Sequence, residues 1–251
     1  MKLGAQFFTL RERCKTNEGL KDAFRRVKEI GYEVAQMSAI WPKDATFLKE
    51  CVREFDLPIT CTHSPFDRII EDTDALIRDH KEYGCCQIGL GMMPKEYLES
   101  IEGCRKFIEI IKEPIKKIEE AGLTFGYHHH HFEFMDIGGS CVFDILLEEA
   151  PSMQFILDTY WLKYAGRDCL EYIKLLGRDR LTNIHLKDMK TDNLGAICPC
   201  GEGVISFEPI VKLCDSLKIP YALVEQDNAP DLGDEFEQMK TSYNGLKHYF
   251  V

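Results

Sequence analysis

The stretch Leu123-Thr-Phe-Gly-Tyr-His-His-His-His131 decides the fold, because an apolar run of strand length ends there on four consecutive histidines. Three later apolar runs also end on residue types that bind metals: Phe155-Ile-Leu-Asp158, Asn183-Ile-His185 and Ala222-Leu-Val-Glu225. In a closed barrel of parallel strands, the carboxyl ends meet at one face. Four successive strand ends that carry imidazoles or carboxylates therefore predict one metal centre at the mouth of a barrel.

The rest of the chain repeats the same unit, a short apolar run followed by an amphipathic charged stretch. The runs are four to six residues long, as strands are: Leu3–Phe8, Glu33–Met37, Ile59–His63, Gln87–Leu90, Leu123–His128, Gln154–Asp158, Thr182–Leu186 and Tyr221–Glu225. Between them, apolar residues at helical spacing stop at Gly31, Gly122 and Gly177, which is typical of a glycine at a helix C-terminus.

Strands that alternate with helices favour a parallel sheet, because parallel neighbours need crossover connections. Eight such units in 251 residues predict a single (β/α)8 TIM barrel over residues 1–251, since that fold takes about 250 residues. The first predicted strand is not followed by Gly-x-Gly-x-x-Gly, which weakens a dinucleotide-binding alternative.

The composition argues against several classes of protein. With 31 basic and 42 acidic residues, the net charge of −11 has the wrong sign for binding a nucleic-acid backbone. Eleven cysteines, an odd number, favour a reducing compartment over a disulfide framework. The apolar amino-terminal residues are soon interrupted by charges, too early for a signal peptide or a membrane span. We expect a cytoplasmic protein with a carbohydrate as small-molecule partner, and the sequence leaves homo-oligomerisation open.

If the fifth strand continues through the four histidines, its alternation fixes the face to which each side chain points. His128 and His130 are two residues apart, so both point to one face of an extended strand and His129 points to the other. If that face is the barrel interior, we expect both imidazoles at the metal or within one water of it. The competing interpretation is a loop whose histidines bind surface metal by chance. Glu133, farther along the same loop, could return a carboxylate to the site.

The other strand-end residues also have structural interpretations. Asp158 could cap the next helix, and His185 could be a hydrogen-bonded core residue. A buried unpaired carboxylate is costly, so Glu225 needs either a cation or a hydrogen-bond partner. His63 either contacts a substrate or lies in the core.

The loops after the strands contain further candidates. Trp41 and Trp161 either form sugar-stacking walls or cover the barrel mouth. The stretch Asp188–Ile205 is long enough to fold over the mouth as a lid. Within it, Cys198-Pro-Cys200 has metal-ligand spacing but no second pair nearby, so we interpret it as loop.

A site of imidazoles and carboxylates suits one divalent ion: Mn, Co, Zn or Fe and, less well, Mg. With open coordination positions, such an ion can bind two adjacent sugar oxygens and ease removal of a proton from the carbon next to a carbonyl. That chemistry supports isomerisation, epimerisation or elimination of a neighbouring group.

Taken together, these residues resemble the xylose isomerase-like TIM-barrel superfamily of sugar phosphate isomerases and epimerases. The resemblance covers essentially the whole chain through Lys2-Leu-Gly-Ala-Gln6, Tyr127-His-His-His-His-Phe-Glu-Phe134, Leu157-Asp-Thr-Tyr-Trp161, His185-Leu-Lys-Asp188, Gly201-Glu-Gly-Val204 and Val224-Glu-Gln-Asp227. It implies a metal-dependent sugar isomerase or epimerase whose ion is held by His128, Asp158, His185 and Glu225. We expect catalysis from His130, Glu133, Lys187 and Glu225, and substrate contacts from Gln6, Trp41, His63 and Trp161.

The chain departs from the family pattern at the fifth strand, where His128 replaces the usual glutamate. The family's ketose 3-epimerases use two glutamates on opposite sides of the substrate carbon, so the replacement puts that mechanism in doubt. The histidine-rich ending is more similar to inosose dehydratase-like and keto-sugar lyase-like members, in which proton abstraction is followed by loss of a β-substituent. A histidine could abstract the proton while Lys187 or the metal holds the oxyanion.

Two further alternatives stay open. One is a sugar-binding barrel without catalysis. The other, which the net charge of −11 argues against, is an endonuclease IV-like DNA repair enzyme. Metal content separates the classes, because an enzyme of this kind should copurify with a divalent ion and a degenerate barrel should not.

Overall fold

Eight parallel strands form the wall of a barrel in the structure, a computed structural model that describes residues 1–40, 44–191 and 195–250. Trp41, predicted to bind substrate, lies outside the described residues. The barrel strands are β1 (Lys2–Gln6), β2 (Val34–Ser38), β3 (Ile59–His63), β4 (Gln87–Leu90), β5 (Thr124–His128), β6 (Gln154–Asp158), β7 (Leu181–Leu186) and β10 (Tyr221–Val224). The prediction of a single (β/α)8 TIM barrel is confirmed.

The strands are neighbours in the order β3-β2-β1-β10-β7-β6-β5-β4. β3 and β4 are the two ends of this order. They nearly close the barrel by a close approach of their backbones instead of a continuous ladder of hydrogen bonds. Ser64 N donates to Gly89 O at 2.7 Å, and a Cβ on Gly89 would lie only 2.1 Å from Thr62 O. Only glycine allows backbones to come this close. We call this β3–β4 contact the seam.

Helices surround the barrel, and ten α-helices lie in the described ranges: α1 (Asn17–Ile30), α2 (Ala45–Phe55), α3 (Phe66–Glu71), α4 (Thr73–Tyr83), α5 (Ile101–Glu120), α6 (Val142–Glu149), α7 (Thr159–Tyr164), α8 (Cys169–Arg180), α9 (Phe207–Ser216) and α10 (Glu235–Leu246). The predicted glycine stops are confirmed at Gly31 (φ 121°) and Gly122 (φ 78°), where the backbone leaves the right-handed helical region. Gly177 (φ 56°) is not the end of a helix, because it lies at a kink inside α8. None of the helices described is both long and apolar enough to cross a membrane.

Several strand bounds differ from the predicted ones by one or two residues, and two of these differences affect the site. β1 ends at Gln6, because the Gln6 side chain accepts a hydrogen bond from Phe8 N at 2.8 Å and starts the 3-10 turn Phe7–Leu10. β10 ends at Val224, which leaves Glu225 just beyond the strand with its N–H donated to Leu186 O at 3.1 Å. No disulfide joins any of the cysteines in the described ranges.

The loop after β7 is organised by one carboxylate. It begins with β8 (Asp188–Met189), which pairs antiparallel with β9 (Ile197–Cys198). Asp188 is completely buried, and its two oxygens accept four backbone N–H groups at 2.8 to 3.0 Å, from Met189, Gly201, Gly203 and Ile205. This carboxylate therefore fixes both ends of the stretch predicted to be a lid, and none of the described residues of that stretch lines the cavity at the barrel mouth.

Candidate active site

Four side chains from four neighbouring strands converge at the carboxyl end of the barrel. His128 ends β5, Asp158 ends β6, His185 lies in β7 and Glu225 follows β10. All four are buried, and one possible ligand atom from each lies within 4.8 Å of the others. The structure thus brings together the residues that the sequence assigned to a metal, and we call them the ligand cluster. Their nitrogen and carboxylate donors could hold one divalent ion.

Hydrogen bonds fix which nitrogen of each cluster histidine is free. His128 Nδ1 donates to Gly91 O at 3.1 Å, and His185 Nε2 donates to Gln36 Oε1 at 2.8 Å. A neutral imidazole carries one N–H, so His128 Nε2 and His185 Nδ1 keep their lone pairs. These two nitrogens lie 3.5 and 3.8 Å from Asp158 Oδ2. Metal-binding histidines are commonly oriented by such a second hydrogen bond.

One contact in the ligand cluster fits a cation better than a core. His185 Nδ1 and Glu225 Oε2 are 2.9 Å apart, and neither atom has a hydrogen-bond partner. Two buried acceptors that face each other are costly unless a positive charge satisfies them. The second oxygen of Glu225 is satisfied, because Oε1 accepts a hydrogen bond from Gln6 Nε2 at 3.1 Å.

Asp158 has both of the roles considered for it. Its Oδ1 accepts the N–H groups of Tyr160 and Trp161 at 2.8 and 3.0 Å, which caps α7. Its Oδ2 faces the ligand cluster. Burial raises the pKa of Asp158 to about 7, although the positive charge of Lys187 acts in the opposite direction.

Lys187 places a positive charge beside the ligand cluster. Its Nζ is 2.6 Å from Asp227 Oδ2, 3.8 Å from Glu225 Oε2 and 3.9 Å from Asp158 Oδ2. Burial by itself would lower the pKa of Lys187, but the three carboxylates outweigh burial and raise it. For Glu225, burial would raise the pKa, but the positive charge of Lys187 outweighs burial and holds the pKa well below its usual range.

Asp227 is a site residue that the sequence prediction missed. The sequence contained a signal for Asp227. Asp227 follows Glu225 by two residues, just as Lys187 follows His185. In an extended chain, residues two apart point to the same face. Burial raises the pKa of Asp227, and Glu225 acts in the same direction.

Two further imidazoles face the ligand cluster. The His63 ring centroid is 5.1 Å from that of His128 and 5.5 Å from that of His185, and the His130 centroid is 4.8 Å from that of His128. His63 Nε2 and His130 Nδ1 are both buried and unpaired. Burial lowers the pKa of each ring to about 3, so both rings are neutral. The shared face predicted for His128 and His130 agrees with this arrangement.

His129 points away from the ligand cluster, as the strand phase predicts. Its ring lies against Phe134 and Phe143, with centroids 5.2 and 5.8 Å away. Its Nε2 accepts a hydrogen bond from Asp158 N at 3.1 Å. His129 therefore lies between the barrel and the helices, and from there it holds the backbone of Asp158.

The structure does not bring Glu133, which was predicted to be catalytic, to the ligand cluster. The 3-10 turn Phe132–Phe134 folds its carboxylate back toward β5, where Tyr127 OH donates to Oε1 and His130 N donates to Oε2, both at 2.7 Å. Burial raises the pKa of Glu133 to about 7. Both oxygens are occupied, so Glu133 holds the backbone of His130 in position.

Gln6 and Trp161 support the site without lining its cavity. Gln6 was predicted to contact substrate. It is completely buried, and its amide donates a hydrogen bond to Glu225 of the ligand cluster. The Trp161 ring lies beside His130 at a centroid distance of 5.1 Å and 5.0 Å from Lys187 Nζ. Gln6 and Trp161 therefore orient neighbours that do face the cavity.

A cavity of about 430 Å³ opens beside the ligand cluster. Small-molecule sites span about 300 to 1,000 Å³. Its lining combines polar groups from both sides of the barrel with a few apolar ones: Phe8, Ser38, Ala39, His63, Ser64, Pro65, Phe66, Leu90, Gly91, Met92, His128, His130, Lys187, Glu225 and Asp227. Predicted residue His63 lies here, opposite the ligand cluster.

The comparison with protein families matches this fold and site. The model of the family described as xylose isomerase-like TIM barrel matches residues 24–242. The chain belongs to this family. Membership in the xylose isomerase-like family confirms the resemblance drawn from the six sequence segments.

Relatives within the xylose isomerase-like family include enzymes of more than one kind. An inosose dehydratase from Clostridium perfringens strain ATCC 13124 is 23% identical over 248 residues, which covers 82% of each chain. A sugar phosphate isomerase/epimerase from Parabacteroides distasonis superposes with a TM-score of 0.79 at 21% identity over 97% of both chains. The probable 3-DHS dehydratase AsbF from Bacillus anthracis superposes with a TM-score of 0.76 at 14% identity, over 98% of this chain and 99% of that one. At such identities the structural likeness shows the fold alone.

Proposed function

We propose that this chain is a divalent-metal-dependent dehydratase of a neutral keto-polyol, such as an inosose. The observation that carries the proposal is the unpaired contact between His185 Nδ1 and Glu225 Oε2 at the edge of the cavity. Buried facing acceptors fit a cation, and a cation beside a cavity of this size suits a substrate that carries a carbonyl. The inosose dehydratase relatives support the same class of reaction.

The ion would be held by His128, Asp158, His185 and Glu225. When bound, it supplies Lewis acidity that polarises the substrate carbonyl and acidifies the adjacent carbon. Lys187 lies beside Glu225 and Asp158 with its ammonium oriented by Asp227 at 2.6 Å. That ammonium donates a hydrogen bond to the oxygen on which negative charge develops.

His130 is the proposed proton carrier. Its Nδ1 is unpaired, and the ring faces the cavity beside the ligand cluster. Nδ1 takes the proton from the carbon next to the carbonyl and delivers it to the hydroxyl that leaves from the following carbon. A C–H and a C–O bond break, a C=C bond forms, water departs and the imidazole returns to its neutral form. Glu133 and Trp161 hold this ring in place.

The charge of the cavity supports an uncharged substrate. Among the described groups there, Lys187 contributes one positive charge, and Asp158, Glu225 and Asp227 contribute three negative charges when ionised. A divalent ion balances the remaining two, so no surplus cation is left for a phosphate or a substrate carboxylate. A neutral inosose or free ketose fits this balance better than a sugar phosphate.

A second candidate is epimerisation of a free ketose, which His63 favours. Its unpaired Nε2 faces the same cavity from β3, so His63 and His130 would exchange a substrate proton on two sides. Dehydration is preferred because a single proton carrier is sufficient for it.

The test uses purified protein that is stripped of metal and reloaded with Mn²⁺ or Co²⁺. We expect an inosose to give a conjugated product, followed by ultraviolet absorbance and proton NMR in D₂O, and free ketohexoses to give none. An epimer with deuterium on one carbon and no conjugated product would favour the second candidate. No reaction with any inosose or ketose would contradict both.

His130→Gln provides the matched variant for this test. It should lower turnover by about a hundred-fold or more, as expected for loss of a general base. His131→Gln is the control, because the neighbouring ring stacks on Trp161 and is not part of the cavity lining. Equal losses in the two variants would contradict the role of His130.

A further inference from the structure

Ser64 ends a buried chain of hydrogen bonds on the cavity wall. Ser64 Oγ is 2.9 Å from Thr62 Oγ1, which in turn is 2.8 Å from His80 Nε2. His80 Nδ1 is 2.7 Å from the carbonyl oxygen of Leu76. Ser64, Thr62 and His80 are all buried and line a small pocket together, and of these three only Ser64 also lines the cavity of about 430 Å³ beside the ligand cluster.

The chain has one possible direction. A carbonyl oxygen only accepts, so His80 Nδ1 carries the proton, and a neutral imidazole carries no second one. Burial lowers the pKa of His80 to about 4, with nearby Arg68 acting in the same direction and the contact with Leu76 opposing them, so the ring is neutral. Thr62 must then donate to His80 Nε2, and Ser64 must donate to Thr62.

Ser64 therefore has no proton left for a ligand. Its Oγ has only lone pairs left for a further partner, so a ligand group that contacts it must donate. The strand order sets where this contact lies, because β3 is four strands from β7 in either direction around the barrel. Ser64 consequently faces the side of the cavity opposite His185 and Lys187.

We propose that Ser64 Oγ is an obligate hydrogen-bond acceptor that selects a hydroxyl on the part of the substrate remote from the reacting carbonyl. The identity of that substrate as a keto-polyol rests on the proposed function. A hydroxyl satisfies this acceptor, whereas hydrogen, fluorine, a methoxy group or a second carbonyl at the same carbon does not. A buried acceptor left without a donor should weaken binding roughly ten-fold.

The first test needs no ligand. Nitrogen-15 NMR of the labelled protein, with His80→Gln used for assignment, reports which ring nitrogen of His80 carries the proton. We expect a protonated Nδ1 and an unprotonated Nε2. The opposite tautomer would make Nε2 the donor, reverse the chain and overturn the proposal.

The second test measures binding of inositol and of its analogues in which each hydroxyl is replaced in turn by fluorine or by hydrogen. Titration calorimetry on the Mn²⁺-loaded protein should find one ring position at which both replacements weaken binding roughly ten-fold. Ser64→Ala should remove this selectivity. Thr62→Val should release the Ser64 proton, so the fluoro analogue should then bind more tightly than the deoxy analogue.

Thr60→Val is the matched control, because Thr60 is a buried residue on the same strand whose hydroxyl donates to Ala35 O and does not reach the cavity. It should keep the wild-type pattern. Wild-type protein that binds no inositol, or that binds all analogues equally, would overturn the role of Ser64. Inositols lack a carbonyl, so selective inositol binding without turnover of any inosose would contradict the proposed function alone.

Discussion

Asp158, at the end of β6, and Asp188, in the loop that follows the neighbouring strand β7, are completely buried carboxylates whose oxygens are used differently. Asp188 accepts four backbone N–H groups from its own loop. Asp158 uses Oδ1 to cap α7 and turns Oδ2 toward His128 and His185. The difference teaches that burial alone does not mark a functional carboxylate. A functional carboxylate is marked by an oxygen that accepts no hydrogen bond from the protein.

The same difference separates Glu133 from Glu225. Both oxygens of Glu133 accept hydrogen bonds within the protein, from Tyr127 OH and His130 N. Glu225 has one oxygen held by Gln6 and one that faces the lone pair of His185. Saturated carboxylates hold the backbone around the site, and half-satisfied ones face the ligand cluster.

The largest effect is expected for Glu225→Gln, which removes one charge and one ligand. Metal retention and turnover should both fall by at least about a hundred-fold, more than is usual for supporting residues. The metal-free variant should unfold at the same temperature as the wild type or higher, because the new amide can donate to His185. Metal analysis after dialysis, with thermal unfolding, checks this. Glu133→Gln is the control and should keep its metal. Full metal content in Glu225→Gln would make Glu225 a structural residue.

Asp188→Asn should give the opposite pattern. An amide offers N–H groups to backbone donors, so the loop loses charged hydrogen bonds and the free energy of unfolding should fall by roughly 3 kcal/mol. Metal bound per folded chain should not change. Urea unfolding and metal analysis measure the two quantities. If Asp188→Asn lost its metal while its free energy of unfolding stayed unchanged, Asp188 would not be a structural carboxylate in contrast to Asp158.

His128→Ala and His129→Ala sharpen the comparison on one strand. His128 Nε2 faces Asp158 Oδ2, whereas His129 packs behind the strand, so the first variant should weaken metal binding about ten-fold more than the second. Titration of the metal-free proteins with Mn²⁺ measures both affinities. Equal affinities would mean that the assigned strand phase does not control ligation. His128→Glu restores the family's usual ligand and should tighten binding of a hard cation.

The smallest effect is expected for Gln36→Leu. This change removes the acceptor of the His185 Nε2 proton, so the imidazole loses the contact that fixes its tautomer. Loss of such a supporting contact should weaken metal binding about ten-fold at most. Thr60→Val, on the neighbouring strand, controls for a general effect on this side of the barrel. An unchanged affinity for Mn²⁺ would show that the tautomer of His185 is fixed without Gln36.

The eight repeated strand–helix units predicted the barrel, the residue types at four strand ends predicted a metal centre, and the family resemblance supplied its four members. His128, Asp158, His185 and Glu225 end neighbouring strands, and strand geometry carries them to one face. The fold-back of Glu133 could not be predicted, because it depends on the direction of a 3-10 turn that alternation does not describe. The contact of Gln36 with His185 joins residues far apart in sequence, and a register shift in β2 precedes it.

The position of the seam bears on how substrate preference could evolve in this protein. β5, β6, β7 and β10, which carry or adjoin the ligand cluster, form an uninterrupted ladder, whereas Ser64 lies at the seam, where β3 and β4 meet over Gly89. On the proposed role of Ser64, its substitution would alter which hydroxyl pattern is accepted without replacing a member of the ligand cluster. Substrate preference and metal affinity can thus be inherited separately, and this allows one barrel to acquire new substrates while its chemistry stays the same.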